Sequence, residues 1–175
     1  MNDMPTLRRI TADDVDDCVE ALADVLIDCV EGGASVSFMH PLSRDKALGF
    51  WRGVADGVRR GERALLVAEN GAGQVVGTVQ LVFARPENQP HRADVAKMLV
   101  RRDARRHGVA QRLMAAVDAV AREEGRTVLV LDTVTGSDAE RLYRRAGWTR
   151  VGDVPDYALM PDGTLCSTTL YYRHL

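Results

Sequence analysis

Cysteine is scarce in this chain and follows no pairing pattern. Cys18, Cys29 and Cys166 are an odd set without a C-x-x-C, and no histidine stands at metal-ligand spacing from them. These absences argue against a disulfide framework and against a zinc site, so no metal is expected. Cys18 and Cys29 lie eleven residues apart on one predicted helix, close to three full turns, and read as core thiols on a common face. Long apolar runs are missing too, and the first residues turn polar within a few positions, so no membrane span or signal peptide is expected and the protein should be cytoplasmic. No charge sign dominates: Lys+Arg at 23 against Asp+Glu at 25 gives a net charge of -2. Nothing global therefore calls for nucleic acid or an anionic membrane as a partner. Repeats, linkers and low-complexity stretches are absent, and 175 residues are too few for two ordinary domains. A single domain over residues 1–175 is expected, with a homodimer left open.

What is present is an ordered succession of strands and helices. Thr6 to Ile10 predicts a first strand, and Thr11 with Asp14 predicts a capping box for a helix. Its apolar stripe is Val15, Cys18, Val19, Leu22, Leu26, Cys29 and Val30, and Gly32-Gly33 stop it. The loop ASVSFMHPLSRD, with Phe38, Met39, His40 and Pro41, either lines a pocket or plugs the core. A second helix, about Arg44 to Arg60, is expected to bury Leu48, Trp51, Val54 and Ala55. RALLVAE (63–69) and QVVGTVQLVFA (74–84) are strands joined by the hairpin turn Asn70-Gly71-Ala72-Gly73. TVLVL (127–131) reads as a strand covered on both faces. Ser137 and Glu140 form a second capping box for a helix through Leu142, Tyr143 and Ala146 that ends at Gly147. Trp148–Val151 and Leu165–Tyr172 close the chain as strands, with a turn at Pro161-Asp162-Gly163 between them. The order predicts an α/β fold: a mixed, mostly antiparallel sheet with helices on both faces.

The stretch from Ala93 to Gly125 organises the rest. In ADVAKMLVRR, alternation assigns Asp94, Ala96, Met98 and Val100 to one face and Val95, Lys97, Leu99 and Arg101 to the other, the latter half-buried at most. A basic turn follows, then a helix with apolar positions Val109, Leu113, Ala116, Val117 and Val120. Arg101, Arg102, Arg105, Arg106, His107 and Arg112 cluster here, with Lys97 just upstream. Such a cluster suits a compact polyanion better than a long duplex. A strand feeding a basic, glycine-containing turn and a helix start brings together unpaired N–H groups, a positive dipole end and guanidinium groups, which together attract phosphates.

The spacing R-x-x-G-x-A at Arg105, Gly108 and Ala110 resembles the pyrophosphate-binding signature of the GNAT superfamily of acyl-coenzyme A N-acyltransferases. The segment ERLYRRAGW resembles the same family's helix-to-strand region. The likeness is strongest from Ala93 to Val151, and the predicted order of elements is the one it implies. GGASVSFM, RADVAKMLV, LDTVTGS and YALMPDGTL most resemble the tabtoxin-resistance type of acetyltransferase.

The resemblance implies acetyl-coenzyme A as acyl donor and a small amino-acid-like or toxin-like primary amine as acceptor, with direct transfer in a ternary complex. It implies cofactor contacts from Met98, Leu99 and Val100 on the pantetheine path, from Arg105, Arg106, His107, Gly108, Val109 and Ala110 around the pyrophosphate, and from Ser137. Ser137 follows Gly136, which stands where the family often has a cofactor-contacting asparagine. It also implies catalytic roles for Asp94, Asp132 and Tyr143. Transfer to an amine needs a base, and Asp94 stands where many relatives carry a glutamate one methylene longer, which favours a water relay. Asp132 ends the TVLVL strand at the carboxyl edge, where open α/β sheets hold ligands. Tyr143 matches the tyrosine that protonates the departing thiolate. Against these stand plainer readings: Asp94 paired with an arginine, Asp132 bound to the following turn, Tyr143 in the core. Two other functions remain open, a non-catalytic acyl-coenzyme A-binding module and acetylation of protein amines.

Overall fold

The computed structural model describes residues 4–175; residues 1–3, where the expected domain begins and part of the signal-peptide reading falls, lie outside the described residues. Strand β1 (Thr6–Ile10) leads to helices α1 (Val15–Glu31) and α2 (Arg44–Arg59), and three antiparallel strands follow: β2 (Arg63–Glu69), β3 (Val75–Phe83) and β4 (Arg92–Val100). A short 3-10 turn (Arg102–Ala104) precedes α3 (Val109–Glu123). Strand β5 (Val128–Val134), α4 (Asp138–Arg145), β6 (Thr149–Leu159) and β7 (Leu165–His174) complete the chain. All seven strands form one sheet in the order β1-β2-β3-β4-β5-β7-β6. Among the described residues the only parallel neighbours are β4 and β5, joined through α3, so the sheet is mixed and mostly antiparallel as expected.

Two apolar cores lie on opposite faces of that sheet. Along α1 the predicted stripe is fully inside, including Cys18 and Cys29. It packs with Leu48, Trp51, Val54 and Ala55 of α2 against Leu65, Val67 and Leu99 of the sheet. On the other face Val109, Leu113, Met114, Val117 and Val120 of α3 meet Leu66, Val79, Val95, Leu129 and Leu131, with Tyr143 of α4 and Tyr171 of β7 beside them.

Local chemistry accounts for most element ends. The Thr11 hydroxyl accepts from the Asp14 N–H at 3.3 Å and donates to its carboxylate at 2.9 Å, although regular helix starts only at Val15. Ser43 caps α2 by accepting from Lys46 N–H. Ser137 caps α4 through the Glu140 N–H at 3.2 Å.

Three expectations need correction. Alternation along β4 does not hold through its length, because Gln80 pairs with Ala96 while Thr78 pairs with Leu99, and Lys97 has φ of 51°. This β-bulge inserts one residue and flips the pattern. Val95 therefore faces α3 whereas Leu99 faces α1 and α2, and Met98 and Val100 lean on the α3 side. Next, β5 is not covered on both faces. Leu129 and Leu131 are buried, but Val128 and Val130 are half-buried and Asp132 is exposed, so the side of the strand that carries them stays partly open to solvent. Finally, β6 runs to Leu159, well past Val151, held by β7 through two irregularities in register.

Candidate active site

The parallel pairing of β4 and β5 is short. Arg92, Ala93 and Asp94 align with Val128, Leu129 and Val130, and no further register continues although β4 reaches Val100 and β5 reaches Val134. Beyond Asp94 the strands part, which leaves the peptide groups of residues 95–100 without ladder partners on the side away from β3. The split leads to the basic turn and the start of α3. No side chain caps that helix, so its first N–H groups remain available at the positive end of its dipole. Gly108 has φ of 74°, a conformation that a Cβ strains, and an added Cβ would meet no protein atom within 4 Å. The space beside it is open to a ligand.

The predicted cation cluster divides in two. Arg101 pairs with Asp103 at 2.7 Å, Arg112 donates to the Pro5 carbonyl, and Arg102 is held by Asp28. Asp28 takes the Arg102 backbone N–H at 2.8 Å and its Nε at 2.9 Å. Burial alone would push the Asp28 carboxyl up, but these bonds outweigh it and hold it below the usual carboxylate range. Arg105 turns back to donate Nε to the Val100 carbonyl at 3.1 Å. Arg106 and His107 are exposed and make no side-chain hydrogen bond or ion pair among the described residues, so their side chains are the ones left for an anion here.

The apolar residues expected at the donor differ in what they offer. Leu99 and Val109 are 1% and 3% exposed, so their side chains belong to the cores and only their backbone remains for a ligand. Met98, Val100 and Ala110 are half-buried. Ser137 lies 3.4 Å from the Thr133 hydroxyl. Gly136 gives its N–H to Glu140 at 2.5 Å, and the other oxygen of Glu140 accepts the Tyr171 hydroxyl at 2.8 Å. The capping glutamate thus takes up the backbone group of Gly136.

Asp94 and Asp132 come to the same face. Ala93 and Val95 point into the α3 core, as do Leu129 and Leu131, so both carboxylates project to the opposite side. Asp132 lies two residues, about 7 Å, further along the neighbouring strand than the partner of Asp94. Asp94 pairs with Arg92 at 2.8 Å, the plainer reading, yet its side chain stays 44% exposed and open to solvent. Asp132 does not bind the following turn; it accepts from the Thr168 hydroxyl on β7 at 2.9 Å. Tyr143 stands on the other side of the sheet, 5% exposed, its ring centroid 6.1 Å from Trp148 and 6.5 Å from Tyr171. Burial, with a smaller contribution from the Asp132 charge, pushes its phenol well above the ordinary tyrosine range.

Sequence reasoning missed Lys97. Strict alternation made it one more half-buried position, whereas the bulge turns its amine toward the loop between α1 and α2, where Nζ donates to Ser37 at 3.1 Å and stands 5.6 Å from the Phe50 ring centre. Burial pulls the ammonium below the ordinary lysine range, and the Asp132 carboxylate partly offsets this. A lone cation inside an otherwise apolar strand core was the available signal. The same loop crosses to β6 and β7: Ser35 donates to the Leu159 carbonyl and the His40 N–H to Pro161, both at 3.0 Å. Phe38 plugs the core against Phe50 at 5.3 Å, while Met39 and His40 line a cleft of about 430 Å³ with Val30, Met160 and Pro161. That cleft contains none of Asp94, Lys97, Asp132 or Tyr143 and so lies beside the split.

Comparison with known proteins places this geometry. An uncharacterized N-acetyltransferase from the hisH-hisA intergenic region of Azospirillum brasilense is 35% identical over 113 residues, which are 63% of this chain and 65% of that protein, less than two thirds of its length. The fold is shared with a ribosomal-protein-alanine N-acetyltransferase from Brucella melitensis (24% identity, TM-score 0.80, covering 97% of this chain and 99% of that one). It is shared also with a phosphinothricin acetyltransferase from Sinorhizobium meliloti in complex with acetyl-coenzyme A (16% identity, TM-score 0.79, covering 98% and 89%). Residues 21–148, most of the chain and all of the split, match the acetyltransferase (GNAT) family, and the chain belongs to that family.

Proposed function

We propose that residues 1–175 act as a single acetyl-coenzyme A-dependent N-acetyltransferase domain, of the tabtoxin-resistance type, that modifies the primary amine of a small amino-acid-like molecule. The observation that carries this reading is the parting of β4 from β5 after Asp94 and Val130, which opens onto the uncapped start of α3. An extended pantetheine arm fits such a split because the free peptide groups of β4 can bond it as a missing strand would. The pyrophosphate then falls at the α3 N-terminus, near Arg105, Arg106, His107, Gly108 and Ala110.

In the reaction the amine nitrogen attacks the thioester carbonyl, the C–S bond breaks, the amine loses a proton and the coenzyme A thiolate gains one. Asp94 accepts the first proton through water, and the phenol of Tyr143, which burial keeps protonated, supplies the second and regains a proton from solvent as the products leave. Asp132 anchors the charged amine before transfer. Direct transfer fits the two core thiols: Cys18 and Cys29 are 4% and 1% exposed, and burial raises both, which leaves them poor nucleophiles. The acceptor enters from the face carrying both carboxylates, beneath the 33–42 loop.

Titration calorimetry with coenzyme A, followed by mass spectrometry of an amine panel, tests the reading. Micromolar binding and an acetylated small amine are expected; no coenzyme A binding would overturn it. Binding without any acetylated product would favour the non-catalytic module, and an acetylated protein amine alone would favour protein acetylation.

A further inference from the structure

Lys97 and Asp132 carry opposite charges toward one space without meeting. Asp94 is the last residue of β4 that aligns with β5, at Val130, and both Asp132 and the Lys97 bulge come just beyond that pairing. The two side chains feel each other's charge, yet no ion pair joins them within 4.0 Å; Asp132 is bonded to Thr168 and Lys97 to Ser37. Among the described residues Lys97 has no carboxylate partner, and a half-buried ammonium with three donors has only the Ser37 hydroxyl to receive one of them. A cation left so poorly satisfied invites an anionic group, because an unpaired buried charge is unfavourable until something neutralises it. The acyl donor does not meet this need at this end of the split: its phosphates belong with the α3 N-terminus, past Val100.

Resting on the acetyltransferase reading, we propose that Lys97 binds the carboxylate of the acceptor while Asp132 holds its ammonium, which makes the acceptor a zwitterionic α-amino acid or close analogue. One carbon separates the two charged groups in such a molecule, which suits two oppositely charged side chains on either side of the β4–β5 split that form no ion pair with each other. The 33–42 loop closes over this end, with Ser37 fixing the Lys97 amine and Phe50 lying under it. Neutral amines and diamines leave Lys97 unmatched and are poor acceptors.

The experiment measures kcat/KM for each common L-α-amino acid and for its α-carboxamide, with the whole protein and acetyl-coenzyme A. The wild-type protein should prefer at least one acid over its amide by about 10- to 100-fold, the range for a charge-assisted hydrogen bond. In Lys97→Met and Lys97→Gln that ratio should fall close to one, and Lys97→Arg should restore part of it. Acetyl-coenzyme A affinity confirms that each variant is folded, and the wild-type ratio stands as a test if none is. A wild-type ratio near one, a ratio unchanged in the variants, or acetylation of other amines with no amino acid accepted would overturn the proposal and leave the acetyltransferase reading intact. Loss of coenzyme A binding in the wild-type protein would instead remove both.

Discussion

The carboxylate of Asp132 on β5 accepts the hydroxyl of Thr168 on β7 at 2.9 Å, and that hydroxyl also lies 3.0 Å from the Thr133 carbonyl. Thr168 is 4% exposed and fixed by the sheet, so it holds one carboxylate oxygen while the other remains free for an amine. Asp132→Asn should therefore raise the acceptor KM about 10- to 100-fold wherever the amine is charged, with a smaller change in kcat. Thr168→Val should raise it less, since the charge remains and only its aim is lost. Steady-state kinetics between pH 6 and 9 would check this; a kcat effect with unchanged KM would assign Asp132 to proton transfer.

Asp94 sits where β4 and β5 are still paired, tied to Arg92, which is itself held by Gln89 at 2.7 Å. As the base, it should show a kinetic loss rather than a binding loss. Asp94→Asn should lower kcat by about 10²–10⁴-fold with acceptor KM little changed, and the deficit should shrink at high pH where the amine deprotonates unaided. A loss that stays constant with pH would make Asp94 a positioning group for Arg92 and the loop at Gln89.

How much of this was legible beforehand follows the kind of interaction involved. The stripes on α1, α2 and α3, the Ser137 cap and the order of strands rest on local periodicity and local hydrogen bonds, and all appear where the residues placed them. The Lys97 bulge was not legible because it is a property of the β3–β4 pairing, in which three steps on one strand answer two on the other. The division of the arginine cluster was hidden for a similar reason: Asp28 and Pro5, which hold Arg102 and Arg112, come from far along the chain. Asp132 reads as a strand end in sequence, and only β7 shows what steadies it.

Gly108 and Arg106 share the turn at the head of α3, both with positive φ, at 74° and 65°. Gly108→Val would strain this backbone by about 1–2 kcal/mol and put a branched side chain into the open space beside the helix start. A clear rise in acetyl-coenzyme A KM with acceptor KM unchanged is expected. Arg105→Ala and Arg106→Ala should each weaken coenzyme A binding by about 1–3 kcal/mol in calorimetry, the Arg106 effect being the larger because Arg105 already serves the Val100 carbonyl. Full affinity in all three variants would move the phosphates to another site.

Tyr143, proposed above as the proton donor, does not ionise in the working range. Burial raises its phenol, so the folded protein keeps that proton at and beyond pH 10, the ordinary tyrosine value. Tyr143→Phe should lower kcat by about 10²–10³-fold without changing acetyl-coenzyme A affinity. In the wild-type protein kcat should show no falling limb from this group up to about pH 10. A stopped-flow or steady-state pH profile of both proteins separates this from a packing role, which would alter stability and leave kcat within a few-fold.

Asp28 links the acid stability of the fold to the turn proposed to hold the acyl donor. It grips the Arg102 backbone N–H and guanidinium, and the Arg102 stem packs so closely on the end of α1 that a Cβ at Gly32 would come within 2.8 Å of it. This clasp sets where the basic turn leaves β4. Because the folded carboxyl is held below its unfolded value of about 3.9, the clasp is fully present above that pH and is lost as pH falls through the lower, folded value. Asp28→Asn should cost about 1 kcal/mol at pH 7, and the gap to the wild-type protein should narrow as pH drops below about 4 and the wild-type carboxyl becomes protonated as well. Urea midpoints across that window give the measurement. A gap independent of pH would mean that Asp28 acts through packing. At pH 7 the same substitution should raise the acetyl-coenzyme A KM several-fold with the acceptor KM unchanged, because a loosened turn presents Arg106, His107 and the α3 N–H groups less well to the pyrophosphate.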